Sequence, residues 1–240
     1  MRTLHEILSV AATRQGLNLA SRRNVLALAG VAAAAPTAFG LNSALAQVDA
    51  EKKNTKNSNK KRNQARRKRD TKKDIGVLNY ALTLEHLEYA FYRDGLTQFD
   101  GANDFNGYPI SGSDLRARLL DILDHEKTHV DTLIDVITGL GGNPVEEACY
   151  EFGYGDDVGK FIDVAQLLEN TGVMAYDGAI ASIKSADLQT AGATIATVEA
   201  RHASFLNFVN GDNPFPDAFD EPKSQAEILA AAGGFIVSCP

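Results

Sequence analysis

Val198-Glu199-Ala200-Arg201-His202 sets a carboxylate and an imidazole three residues apart, and Glu126-Lys127-Thr128-His129 does the same earlier in the chain. On an α-helix, positions i and i+3 share one face, so each pair can offer both donors to a single point. Two such pairs on two helices, with one further glutamate from each of two more, are the donor set of a two-metal site inside a four-helix bundle. The remaining question is whether the chain holds those two helices and those two glutamates.

The 3–4 spacing of apolar residues predicts helices over about residues 74–96, 113–139, 157–185 and 187–210. The first stripe runs Ile75, Leu78, Leu82, Glu85, Tyr89, Tyr92, Leu96; the third runs Val158, Ile162, Ala165, Glu169, Gly172, Tyr176. The second and fourth carry the Glu-x-x-His pairs in the same way. Every inner seam is thus broken near its middle by one glutamate: Glu85, Glu126, Glu169 and Glu199. Carboxylates are almost never buried unpaired, and four at one level would repel each other. Two divalent cations resolve the conflict, because four carboxylates and two neutral imidazoles balance their charge.

The donors also fall level with one another. Glu85 and Glu126 each stand roughly 16–20 Å from the turn between their helices, at about 1.5 Å of rise per residue. Glu169 and Glu199 sit similarly deep on either side of the Ser185-Ala186-Asp187 turn. Residues 140–156 could span about 56 Å if extended, enough to recross a helix of about 40 Å. The expected fold is therefore all-α: a four-helix bundle over residues 75–240 with one long crossover between the second and third helices, and a C-terminal extension.

The net charge of −7 conceals a segregation. Residues 52–73 hold twelve Lys/Arg against the single acid Asp70, whereas residues 75–240 hold eight Lys/Arg against 26 Asp/Glu. Residues 47–74 contain almost nothing apolar and are expected to be a disordered basic linker. Two readings of that tail stand: a solvated spacer, or a tether to an anionic envelope surface. Nucleic acid is not an expected partner, because no aromatics are interleaved with the basic residues. Ahead of it, Ser21-Arg22-Arg23-Asn24-Val25-Leu26, an apolar run over residues 27–39 and Ala44-Leu45-Ala46 resemble a twin-arginine signal peptide with its cleavage site, spanning residues 1–46. The motif departs from the usual one at Val25 and in lacking a Lys after Leu26. The expected destination is the periplasm, the cell envelope or the extracellular space.

The order Glu85, Glu126-x-x-His129, Glu169, Glu199-x-x-His202 resembles the ferritin-like di-iron carboxylate superfamily. Leu167-Leu168-Glu169-Asn170-Thr171-Gly172-Val173-Met174-Ala175-Tyr176, Val198-Glu199-Ala200-Arg201-His202-Ala203 and the tail beginning Asp212-Asn213-Pro214-Phe215-Pro216 are similar to its exported branch of desiccation-related and fungal stress proteins. The resemblance covers residues 75–240 and implies two bound iron ions, with two manganese ions as the alternative. It implies Glu126 and Glu199 as bridging ligands, Glu85 and Glu169 as terminal ones, and one histidine, His129 or His202, on each metal. Iron oxidation, or handling of dioxygen or peroxide in oxidative stress, is the activity it suggests. Manganese-catalase-like peroxide dismutation, iron storage and a non-catalytic desiccation-stress role are the alternatives, and a homo-oligomer suits the storage reading.

Some neighbours of the donors carry two readings each. Tyr92 follows Glu85 by seven residues, where a redox-active tyrosine serves some members; a packed core tyrosine is the other reading. Tyr176 stands in the same relation to Glu169. Glu88 is an extra ligand or, as favoured here, part of a solvated face. His86 and His125 point off the seam. Gly172 is expected to leave space for an oxidant. Cys149 and Cys239 would meet an oxidising compartment after export and are a candidate disulfide between crossover and C-terminus. The absence of any Cys-x-x-Cys excludes a rubredoxin-like electron-transfer module.

Overall fold

The computed structural model of the protein describes residues 38–101 and 103–239, with side chains from residue 58 onward. Four long helices form the bundle: α1 Ala38–Gln98, α2 Gly112–Gly139, α3 Val158–Ile180 and α4 Ala186–Val209. A short α5, Gln225–Ala232, and a 3-10 turn, Gly233–Phe235, follow. Two-residue strands β1 Cys149–Tyr150 and β2 Ile236–Val237 pair antiparallel, Cys149 opposite Val237. The side chains of Ser111, Asp157, Ser185 and Ser224 accept backbone N–H groups at the starts of α2 to α5. Each satisfies a donor that a helix start leaves free.

Two expectations are corrected. Residues 47–74 are not a disordered linker but the N-terminal half of α1, with the expected cleavage site Ala44-Leu45-Ala46 also in helical backbone. No Gly or Pro interrupts residues 41–75, and Lys, Arg, Ala and Gln are good helix formers. Charge prevents this segment from burying itself but not from coiling: residues 58–69 are exposed all round. The third helix ends at Ile180, five residues before its expected end. Buried Asp74 explains the turn that follows, since its carboxylate accepts Lys184 N at 2.6 Å and Ser185 N at 3.1 Å. The twin-arginine motif at residues 21–26 lies outside the described residues. No helix among the described residues is long and apolar enough to cross a membrane.

The crossover is present and runs along the C-terminal part of α1, from Asn79 to Gln98. Asn79 accepts Val145 N at 2.7 Å, His86 Nε2 lies 3.2 Å from Val145 O, Arg93 pairs with Glu147 at 3.0 Å, and Gln98 donates to Gly155 O at 2.6 Å. Asn79, His86 and Arg93 recur every seven residues, so one polar stripe on α1 guides the strand back. Cys149 and Cys239 form a disulfide that fixes the crossover to the C-terminus.

The crossover delivers the start of α3 to the end of α1, where aromatic rings fill the bundle. Phe91 and Phe161 stack at 4.6 Å, and Phe152, Tyr154, Phe99 and Phe105 surround them. Gly95 permits this approach, because a Cβ there would lie 2.1 Å from the Phe161 ring. Burying each such ring stabilises the fold by about 1.5–3 kcal/mol.

Candidate metal centre

All six expected donors meet in the bundle core. Glu85 comes from α1, Glu126 and His129 from α2, Glu169 from α3, and Glu199 and His202 from α4. The four glutamates are wholly buried, and the two histidines nearly so. Their donor atoms form two groups: Glu85, Glu126, His129 and Glu199; and Glu126, Glu169, Glu199 and His202. Glu126 and Glu199 belong to both.

His129 Nδ1 lies 3.1 Å from Glu85 Oε2, 3.2 Å from Glu126 Oε2 and 3.1 Å from Glu199 Oε1. His202 Nδ1 lies 3.1 Å from both Glu126 Oε1 and Glu169 Oε2. A single imidazole proton cannot serve so many acceptors, and Glu126 Oε1 and both Glu199 oxygens are buried without a hydrogen-bond partner. Orphaned carboxylate oxygens are costly in a dry core. Donor atoms held about 2.1 Å from one ion, at right angles, would be about 3 Å apart. The donor set therefore fits divalent metal.

Without metal, protons must balance the charge. Burial, then the charge of Glu169, pushes Glu126 up to about 7. Burial, then Glu126 and Glu169, holds Glu199 well above the usual carboxylate range. Burial would lower His202, yet the charge of Glu169 and the close approach of the Glu126 and Glu169 carboxylates raise it to about 11. His129 is raised well above its ordinary value in the same way, by Glu85 above all, against the effect of burial. For Glu85, burial opposes ionisation, but the charge and hydrogen bond of His129 leave it lowered.

The tyrosines attach crosswise. Tyr92, fully buried, donates to Glu169 Oε1 at 2.7 Å, and Tyr176 donates to Glu85 Oε1. Each thus steadies a glutamate on the other's helix. Burial, followed by the facing carboxylate, pushes both phenols well above their ordinary value, so both keep their protons.

Three neighbours differ from their expected placement. Glu88 is buried at 3% exposure, not on a solvated face, and Gly172 does not leave open space. A Cβ on Gly172 would stand 2.9 Å from Glu88 Oε1 and 3.4 Å from Glu199 Oε2, so the missing side chain makes room for the Glu88 carboxyl. Glu88 nonetheless belongs to neither donor group. His125 Nδ1 lies 2.9 Å from His202 Nε2, with the rings stacked at 5.2 Å. With Nδ1 of His202 facing the glutamates, its Nε2 proton goes to His125, which fixes the tautomer. The i,i+4 relation of His125 to His129 was the available sequence signal. His86 does face away, toward the crossover.

A family model described as a ferritin-like domain matches residues 73–212. Protein rds1 of Schizosaccharomyces pombe is 29% identical over 170 residues, covering 70% of this chain. The chain spans 40% of the length of that relative. Two solved structures are similar to it. One is a conserved hypothetical protein from Mycobacterium tuberculosis, 22% identical with a TM-score of 0.48, matching 62% of this chain and 99% of the other. The second is a ferritin-like, diiron-carboxylate protein from Bacillus anthracis, 19% identical with a TM-score of 0.46, matching 59% and 97%.

Proposed function

The chain belongs to the ferritin-like domain family, and on that premise we propose that it is an exported di-metal protein whose centre holds two iron ions and oxidises them with dioxygen or peroxide. The observation that carries this reading is the pair of four-donor groups sharing Glu126 and Glu199, with three carboxylate oxygens on those residues unpartnered. Carboxylates with imidazole suit iron or manganese over soft metals. Iron is preferred here, and two manganese ions dismutating peroxide are the alternative.

Glu126 and Glu199 would each contact both ions, Glu85 and His129 one of them, and Glu169 and His202 the other. When bound, two ferrous ions supply two electrons that, with two protons, reduce dioxygen to hydrogen peroxide. The chain's own residues prepare the site for that. Tyr92 and Tyr176 orient Glu169 and Glu85, His125 holds the His202 ring, and the buried glutamates exclude bulk water. Preorganised donors of this kind need little rearrangement when the charge changes.

Export through the twin-arginine route to the periplasm, envelope or extracellular space is part of the same proposal. The Cys149–Cys239 disulfide supports an oxidising destination. The exposed basic stretch of α1 over residues 58–69 supports a tether to an anionic envelope surface. The test of the metal reading is elemental analysis of the protein from its native compartment. About two iron atoms per chain support it, and metal-free protein that stays so under anaerobic ferrous iron overturns it.

A further inference from the structure

The two ends of the bundle core are filled differently. Beyond Tyr92, the aromatic cluster packs against the centre, with Phe91, Phe105 and Phe161 at most 1% exposed. Beyond Tyr176 lies a partly open cavity of about 50 Å³, lined from all four helices, with Thr132, Val136 and Gly192 at its half-buried outer wall. Ala81 stands one turn before Glu85, Leu133 one turn after His129, and Ile195 one turn before Glu199. The cavity is therefore coaxial with the donors and starts one turn from them. Tyr176 is shared between the two: its ring lines the cavity and its hydroxyl is on Glu85.

The chemistry of the lining selects the guest. Nearly all of it is Ala, Val, Leu, Ile and Gly; Thr132 and Tyr176 are the lining residues that carry a hydroxyl, and that of Tyr176 is already bonded to Glu85. A buried water needs two to four polar partners, and apolar cavities stay dry while accepting apolar guests such as xenon. The volume exceeds what one water requires and falls well short of an aromatic ring's needs. Hydrogen peroxide, like water, would lose its hydrogen bonds on entering. An apolar diatomic molecule loses none.

We propose that this cavity is the binding pocket and final approach for dioxygen, delivering it past Tyr176 to the Glu85–His129 half of the centre, and that it discriminates against peroxide. The destination rests on the di-metal reading; the pocket itself does not. Gly192 lines the wall with only Ile180 Cδ1 at 4.0 Å from the position of a Cβ, so a larger side chain there would occupy the cavity.

The test has two arms on the full chain. Crystals of the metal-free protein under xenon pressure should show xenon between Leu133, Tyr176 and Ile195, and Gly192→Leu and Ala191→Leu should each exclude it. Xenon absent from the wild-type cavity overturns the pocket, whatever the metal content. In iron-loaded protein, Gly192→Leu should slow oxidation by dioxygen several-fold and leave oxidation by peroxide and the metal content unchanged. Equal slowing with both oxidants, or with neither, overturns the route. Failure of both wild type and variant to take up iron, with xenon present in the cavity, removes the di-metal destination and so overturns the delivery route, while leaving the pocket in place.

Discussion

Tyr92 donates its hydroxyl hydrogen bond to Glu169 on α3 rather than to Glu85, the glutamate seven residues before it on its own helix. The reciprocal bond from Tyr176 to Glu85 makes a cross-brace between α1 and α3 at the level of the centre. A buried hydrogen bond to a charged group contributes about 1.5–3 kcal/mol. Tyr92→Phe and Tyr176→Phe should each lower the unfolding free energy of the metal-free protein by about that amount, measured by denaturant titration. Unchanged midpoints would mean that the phenols are only packed in the core.

Sharing of ligands predicts an asymmetry among glutamate deletions. Glu126→Ala and Glu199→Ala strip a donor from both groups and should lose both metals. Glu85→Ala strips one group and should leave about one metal bound. Elemental analysis of the three variants decides it, and two metals retained in Glu199→Ala would end the di-metal reading.

The metal-free protein should weaken as the pH rises. Glu126 moves from 4.5 unfolded to about 7 folded, so the folded state keeps a proton that the unfolded chain has lost. That stability is complete below 4.5 and disappears as pH climbs through 7. His202, raised from 6.5 to about 11, acts in the same direction over a higher window. Metal replaces those protons, so loading should release protons into a weak buffer and flatten the pH profile. A metal-free protein that gains stability between pH 4.5 and 7 would contradict the assignment.

Glu88 tests the division between ligand and neighbour. Burial, then the charges of Glu199 and Glu169, holds its carboxyl well above the ordinary range. Glu88→Gln keeps the shape and cannot ionise, so at alkaline pH it should raise the melting temperature of the metal-free protein, and after loading it should still bind two metals. Loss of a metal would make Glu88 a ligand.

Tethering by the basic half of α1 depends on exposed charges, which salt near 1 M screens to within about 3 Å. Deleting residues 50–73, which spares the buried Asp74, should release the protein from envelope fractions and leave the buried centre loaded. Membrane sedimentation equal to that of the full chain would reduce the segment to a spacer.

Much of this was legible in the sequence because burial and charge conflict there in a readable way. Glutamates at Glu85, Glu126, Glu169 and Glu199 interrupt apolar seams, and only convergence in one core reconciles them. Contacts between helices were not legible: the seven-residue spacing that joins Tyr92 to Glu85 on paper says nothing about which helix its hydroxyl reaches. Glu88 was misread because its place depends on a missing side chain, Gly172, on another helix. The basic segment was misread because failure to build a core was equated with failure to coil. The crossover itself was legible from the length of residues 140–156, whereas the stripe Asn79, His86, Arg93 that guides it emerged only from the contacts in the fold.

The disulfide closes residues 149–239 into a covalent ring that contains Glu169, Glu199 and His202 and leaves Glu85, Glu126 and His129 outside it. Each donor group draws from both sides, Glu199 reaching out of the ring and Glu126 reaching in. Any ion held by either group therefore stitches an open segment to a closed loop. A chain nicked by protease within residues 140–148 would stay in one piece while loaded, and would come apart into a linear strip and a circle once a chelator and denaturant had removed what joins them.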